Sequence, residues 1–168
     1  DTVLKKLNLV SKEYFHLGSY GVAKGQERVF KHLKHLGFPM VLTSSFKIIP
    51  KGDLKEVKLI NASFEEYNIL LKNAKAVICM SEFKEGWCRV LHEAAIHGTP
   101  ILGSGLGGMK ELLEIGGFKI TTIDTLFNDL NIRNKKDTIS RTKINLYREF
   151  TLEKFHKSWC NCINELLK

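Results

Sequence analysis

Three short stretches of the chain carry residue types that do chemistry. The first, Gly18-Ser19-Tyr20-Gly21-Val22-Ala23-Lys24-Gly25, places one lysine among three glycines at the head of a helical pattern. Glycine permits tight turns and close backbone approach. A lysine at a helix start opposes the helix dipole unless an anion lies beside it, and a bound phosphate resolves that conflict. An ordinary surface turn is the competing reading. The stretch lacks the Gly-Lys-Ser or Gly-Lys-Thr of a P-loop and is not G-x-G-x-x-G.

The second stretch, Ser81-Glu82-Phe83-Lys84-Glu85-Gly86-Trp87, follows a nearly continuous apolar run, and Glu93 lies eight residues beyond Glu85. On one helix those two carboxylates would stand about 80° apart in phase. They can serve one ligand only if Glu85 reaches in from a loop. An i,i+4 pair of Glu93 with Arg89 or His97 is the plainer alternative. The third stretch, Gly103-Ser104-Gly105-Leu106-Gly107-Gly108, has four glycines in six residues, more than a turn needs. Backbone N–H groups opening the next helix can hold a diphosphate there, and a flexible connection is the alternative.

Other chemistries are disfavoured. His16, His32, His35, His92, His97 and His156 form no metal-ligand spacing with Cys79, Cys88, Cys160 and Cys162. The cysteines fit neither paired zinc ligands nor a disulfide scaffold, and free thiols point to a reducing compartment. No Gly-x-Ser-x-Gly elbow is present.

Hydrophobic periodicity gives the elements that must position these groups. Strands are expected at residues 14–17, Met40–Thr43, 57–60, 76–80 and 100–103, with a last one at 118–121. Between them, Val29, Phe30, Leu33 and Leu36 recur at helical spacing up to Gly37. Ser63 and Glu66 form a capping box. Further helices are expected around residues 87–97 and 109–113, and the chain from about Asp124 reads as helical or irregular. Terminal helices are expected over about 136–167. Leu152, Phe155, Trp159, Cys162, Ile163 and Leu166 make an apolar stripe expected to pack on the domain, with a membrane-surface helix as the minor reading. Alternating strands and helices imply an α/β fold, a three-layer doubly wound and mostly parallel sheet, with ligands beyond the strands' carboxyl ends.

With 168 residues, 43% hydrophobic and 26% charged, the chain suits one globular domain. The net charge of +8 favours anionic ligands. No zinc-finger, RNP or arginine-rich pattern supports nucleic-acid binding. No apolar run approaches the length of a membrane span, and no signal-peptide pattern opens the chain.

The residues from Asn73 to Glu114 resemble the carboxy-terminal, nucleotide-sugar-binding domain of retaining GT-B glycosyltransferases (glycosyltransferase family 4, group 1). The resemblance rests on Asn73-Ala74-Lys75-Ala76, Met80-Ser81, Glu85-Gly86-Trp87-Cys88, Glu93-Ala94, Gly98-Thr99-Pro100, Gly107-Gly108 and Glu111, with Glu85 and Glu93 in the family's E-x7-E spacing. More weakly, Gly18 through Lys24-Gly25 resembles the first phosphate-facing loop, and Phe150-Thr151-Leu152-Glu153 the family's Phe-x-Trp stretch. The resemblance implies a Rossmann-like half of a GT-B fold over residues 1–168, with the amino-terminal acceptor domain absent from this chain. It implies a nucleoside-diphosphate sugar, GDP- or UDP-linked, as donor substrate, no metal, and retaining transfer to a glycan or lipid-linked acceptor. Lys24 and Glu85 would be the catalytic residues. Gly18, Ser19, Lys24, Glu85, Gly86, Trp87, Glu93, Gly107 and Gly108 would hold the donor, with Lys24 at the diphosphate, Glu93 at the ribose and Glu85 beside the sugar. The implied location is the cytoplasm, with peripheral contact at the cytoplasmic face of a membrane. Ser19 stands where the family usually has arginine, Cys88 replaces a glycine and Lys75 an acidic residue. As a transferase this isolated half is expected to be inactive, and Ser19 together with the missing amino-terminal half motivates the alternative of a catalytically degenerate sugar-nucleotide-binding or scaffold domain.

Overall fold

The computed structural model describes residues 2–44, 52–134 and 139–166. Five strands form one parallel sheet: β1 (Phe15–Ser19), β2 (Met40–Thr43), β3 (Lys58–Ile60), β4 (Ala76–Cys79) and β5 (Ile101–Gly103), in the order β3-β2-β1-β4-β5. Helices cover both faces, which gives the three layers expected from the alternating pattern. On one face lie α1 (Thr2–Lys6), α3 (Phe64–Asn73), α4 (Arg89–Ile96), α5 (Gly108–Ile115) and α7 (Arg141–Arg148). On the other lie α2 (Gln26–Leu33), a short 3-10 helix at Gly52–Glu56 and α6 (Leu126–Asn134).

Burial of both sheet faces explains the apolar strands. Val77 and Cys79 of β4 enter the first core, whereas Ala76 and Ile78 enter the second, as alternation along a strand requires. The capping box forms: Ser63 Oγ accepts from the Glu66 N–H at 3.2 Å, and Glu66 Oε2 accepts from the Ser63 N–H at 3.0 Å. Buried Tyr147 anchors α7 by donating to the Leu112 carbonyl at 2.9 Å.

Two expectations fail. Residues 118–121 are not a strand. The Thr121 N–H reaches the Gly103 carbonyl at 2.9 Å, but this single bond makes no ladder, because Phe118 is held against the Tyr147 ring after the turn at Gly117. The terminal stripe does not pack on the domain either. In α8 (Leu152–Leu166) no residue is buried; Leu152 is 70% exposed and Leu166 86%. Both sheet faces are already covered, so α8 has no core surface left to meet. The expected terminal helices over about 136–167 correspond to α7 and α8; residues 136–138 and 167 lie outside the described residues. Among the described residues no helix is long and apolar enough to cross a membrane.

Candidate functional site

The strand order turns back beside β1: the chain runs outward through β2 and β3, then returns to the far side of β1 with β4. The crevice at the carboxyl ends of strands that diverge in this way is the usual ligand position. A cavity of about 210 Å3 lies there. Gly18 and Ser19 line it from the end of β1, Cys79 and Ser81 from the end of β4, and Lys24 and Glu85 from the loops above.

The loop after β1 is held by a buried amide. Gln26 Nε2 donates to the carbonyls of Leu17 at 3.1 Å and Ser19 at 2.8 Å, while Gln26 Oε1 accepts from the Gly21 N–H at 3.3 Å. The loop then presses on β4. Gly25 has φ +67°, and a Cβ there would stand 2.0 Å from the Met80 carbonyl oxygen, so only glycine fits. The Glu82 N–H completes the junction by donating to the Ala23 carbonyl at 2.9 Å. Lys24 is thereby carried over the cavity, its ammonium 4.9 Å from the Phe83 ring centroid.

Lys24 and Glu85 form an ion pair, and the Ser81 hydroxyl donates to the same carboxylate oxygen. Burial pulls the Glu85 carboxyl upward, but the hydrogen bonds from Lys24 and Ser81 outweigh it and hold the group below the ordinary carboxylate range. The Glu85 backbone is fixed as well. The Gly108 N–H donates to the Glu85 carbonyl at 2.8 Å, and Glu85 and Gly107 form a parallel bridge. At Gly107, φ is +69° and a Cβ would lie 2.1 Å from the Glu85 carbonyl oxygen. The glycines after β5 therefore serve a close passage of two backbones. One N–H of the α5 terminus is already spent on protein.

The buried thiols of Cys79 and Cys88 line the same cavity, and the neighbouring Cys88 thiol together with burial pushes the Cys79 thiol up. On the same sheet face, His16 is fully buried. Its Nδ1 accepts from the Gly18 N–H at 3.1 Å, which places the ring proton on Nε2. Nε2 has no hydrogen-bond partner among the described residues, and burial drives the imidazole pKa down to about 3.

Of the residues singled out from sequence, Gly18, Ser19, Lys24, Glu85 and Trp87 converge on one cavity. Trp87 packs on Phe150 with ring centroids 4.9 Å apart and forms a wall between this cavity and an apolar groove under the start of α8. Gly86 is next to it in the chain and is passed closely by Gly108. Glu93 is not among the cavity's lining residues. Its carboxylate accepts from Tyr67 Oη at 2.7 Å, and no ion pair with Arg89 or His97 forms. Sequence reasoning gave no role to Ser81, Gln26 or Tyr67. The first adjoins the motif, but the other two have no local signal, because their partners are set by the fold. Among the described residues no group of three or more His, Cys, Asp or Glu is placed to hold a metal ion.

No family profile matches the chain, and no curated protein matches it in sequence. Solved structures do match in fold. Anabaena Alr3699/HepE in complex with UDP-glucose superposes with a TM-score of 0.75 at 18% identity, over 98% of this chain and 52% of that one. AviGT4, a glycosyltransferase involved in avilamycin A biosynthesis, gives 0.65 at 20% identity, over 93% of this chain and 52% of that one. UDP-N-acetylglucosamine 2-epimerase from Rickettsia bellii gives 0.57 at 17% identity, over 98% of this chain and 49% of that one. The chain thus spans about half the length of the structures it matches, and what it shares with them is a Rossmann-like fold.

Proposed function

We propose that this chain is the donor-binding, carboxy-terminal half of a retaining GT-B glycosyltransferase. It would bind a nucleoside-diphosphate sugar, UDP- or GDP-linked, and act with an amino-terminal domain that holds a glycan or lipid-linked acceptor. The observation that carries this reading is the cavity between β1 and β4, where the chain's resemblance to the family and the physics of doubly wound sheets point to the same place. The likeness of fold to a protein solved with UDP-glucose supports it.

In this reading Lys24 leaves Glu85 for the donor diphosphate and stabilises the leaving group electrostatically. Glu85, freed from the ammonium, faces the sugar from the loop above the cavity, with Gly86 and Trp87 shaping the wall beside it. Glu93, its orientation fixed by Tyr67, accepts hydrogen bonds from the ribose. Gly18 and Ser19 offer backbone near the phosphates. The turn at Gly107-Gly108 keeps Glu85 in place and closes the far side of the donor pocket. Work at the cytoplasmic face of a membrane fits this chemistry.

The second reading is a sugar-nucleotide-binding domain without catalysis, favoured by the engagement of Lys24 with Glu85 and by the uncharged Ser19. Calorimetric titration with UDP, GDP and UDP-glucose tests the binding that both readings share, and absence of binding to all three refutes both. Sugar-transfer assays on a protein containing this chain and an amino-terminal partner domain then separate them: release of nucleoside diphosphate with glycosylated acceptor supports the enzyme, and binding without turnover supports the second.

A further inference from the structure

Four cations border the cavity between β1 and β4 and the adjoining cavity of about 390 Å3 beside α2: Lys24, Arg28, Lys31 and Arg89. Three are already neutralised. Lys24 pairs with Glu85. Arg28 Nε lies 2.8 Å from Glu82 Oε1. Lys31 is shared by Glu27 at 3.2 Å and Asp53 at 2.9 Å. The side chain of Arg89 alone makes no ion pair or hydrogen bond among the described residues. Glu93, one turn further along α4, is turned to Tyr67 instead. The ionic groups lining the β1–β4 cavity are Lys24, Glu85 and Arg89, so once Lys24 and Glu85 cancel, its net positive charge is that of Arg89.

We infer that Arg89 is a diphosphate-binding residue, the guanidinium that first captures the anionic part of the ligand. The inference rests on the donor-binding reading given above and adds a residue to it. A guanidinium is suited to such capture, because it is charged at every physiological pH and its planar fork matches two phosphate oxygens. Its charge requires no prior rearrangement, whereas the Lys24 ammonium becomes available only when its bond to Glu85 is exchanged for one to phosphate. Capture by Arg89 therefore precedes the exchange at Lys24. Arg89 also lines the groove on the other side of Trp87, so its side chain stands between that groove and the β1–β4 cavity.

The test uses the whole chain with UDP, inorganic pyrophosphate and uridine as probes, on wild type, Arg89→Ala and Arg89→Lys. Arg89 is exposed, so both variants keep the fold. Arg89→Ala is expected to weaken UDP and pyrophosphate about tenfold and to leave uridine unchanged, while Arg89→Lys keeps the charge without the fork and restores only part of the affinity. In a 15N spectrum the Arg89 Nε–Hε signal moves on addition of pyrophosphate. If wild type binds UDP and Arg89→Ala binds it equally well, the inference is overturned and the donor-binding reading survives. If wild type binds neither UDP nor pyrophosphate, and GDP in the titration above fails as well, both fall together. Equal weakening of uridine and UDP by Arg89→Ala also overturns it, since that would mark a general distortion of the pocket.

Discussion

Tyr67 donates a 2.7 Å hydrogen bond to Glu93 Oε2, tying α3 to α4. One oxygen of the carboxylate is thereby oriented by protein, and in the proposed donor-binding reading the other accepts from the ribose. Glu93→Ala is expected to weaken UDP or GDP binding by about tenfold or more, the scale of a hydrogen bond to a charged group. Tyr67→Phe should weaken it by less, through loss of orientation alone. Calorimetric titration of both variants checks the order, and unchanged affinity in Glu93→Ala would remove the ribose role.

The Lys24–Glu85 pair predicts an effect of opposite sign. Glu85→Gln removes the charge that competes with phosphate for the ammonium. UDP affinity should rise roughly threefold to tenfold, on the scale of a partly buried ion pair. In a protein that completes the active site, sugar transfer should fall at the same time. A variant that binds UDP more weakly than wild type would show that Glu85 helps to hold the phosphates.

The crossing of the loops after β4 and β5 gives a stability prediction. Gly107→Ala puts a Cβ into the Glu85 carbonyl at a backbone angle that other residues rarely adopt. The strain costs about 1–3 kcal/mol. Urea denaturation should show that loss, with UDP binding impaired because Glu85 is displaced. A midpoint equal to that of wild type would mean that the two loops part without cost.

How much of this was legible in the sequence depends on the range of each signal. Five of the six expected strands, the capping box at Ser63 and the stop at Gly37, which caps the 3-10 turn Lys34–Leu36 following α2, rest on patterns a few residues long and appear. The apolar run at β4 announced burial on both faces, which the two cores explain. The failures lie where tertiary context decides. Phe118 to Thr121 has strand-like composition but is captured by Tyr147. The α8 stripe has the period of a packed helix, but it meets the domain only at the groove beside Trp87 and Phe150, and none of its residues is buried. At the site, glycines, Lys24 and Glu85 could be read because spacing carries them. The ties from Gln26 to the loop and from Tyr67 to Glu93 could not, because they join residues that only the fold brings together.

His16 makes stability depend on pH. Its folded pKa of about 3 is depressed by burial from the ordinary 6.5. Between those values the unfolded chain binds a proton that the folded chain refuses, so stability is full above pH 6.5 and falls as the pH drops. The slope from this residue approaches about 1.4 kcal/mol per pH unit. Urea titrations between pH 7 and 5, above the range of the carboxylates, follow it together with His97, whose imidazole burial also pushes down. His16→Asn keeps an acceptor for the Gly18 N–H and should flatten the dependence. An unchanged slope in that variant would assign the effect to another group.

The strand order also bears on how the sheet is assembled. Phe15 of β1 pairs with Met40 on one side and with Ala76 on the other, so the second partner lies more than twice as far along the chain. Pairings between distant segments close larger loops and form more slowly. The β1–β2–β3 wing can therefore assemble while β4 is still searching for its place. The pairing of β1 with β4 joins the most distant neighbours in the sheet, and it is also the seam that holds the cavity. A chain whose sheet has closed everywhere but there has both wings of the fold and no crevice between them.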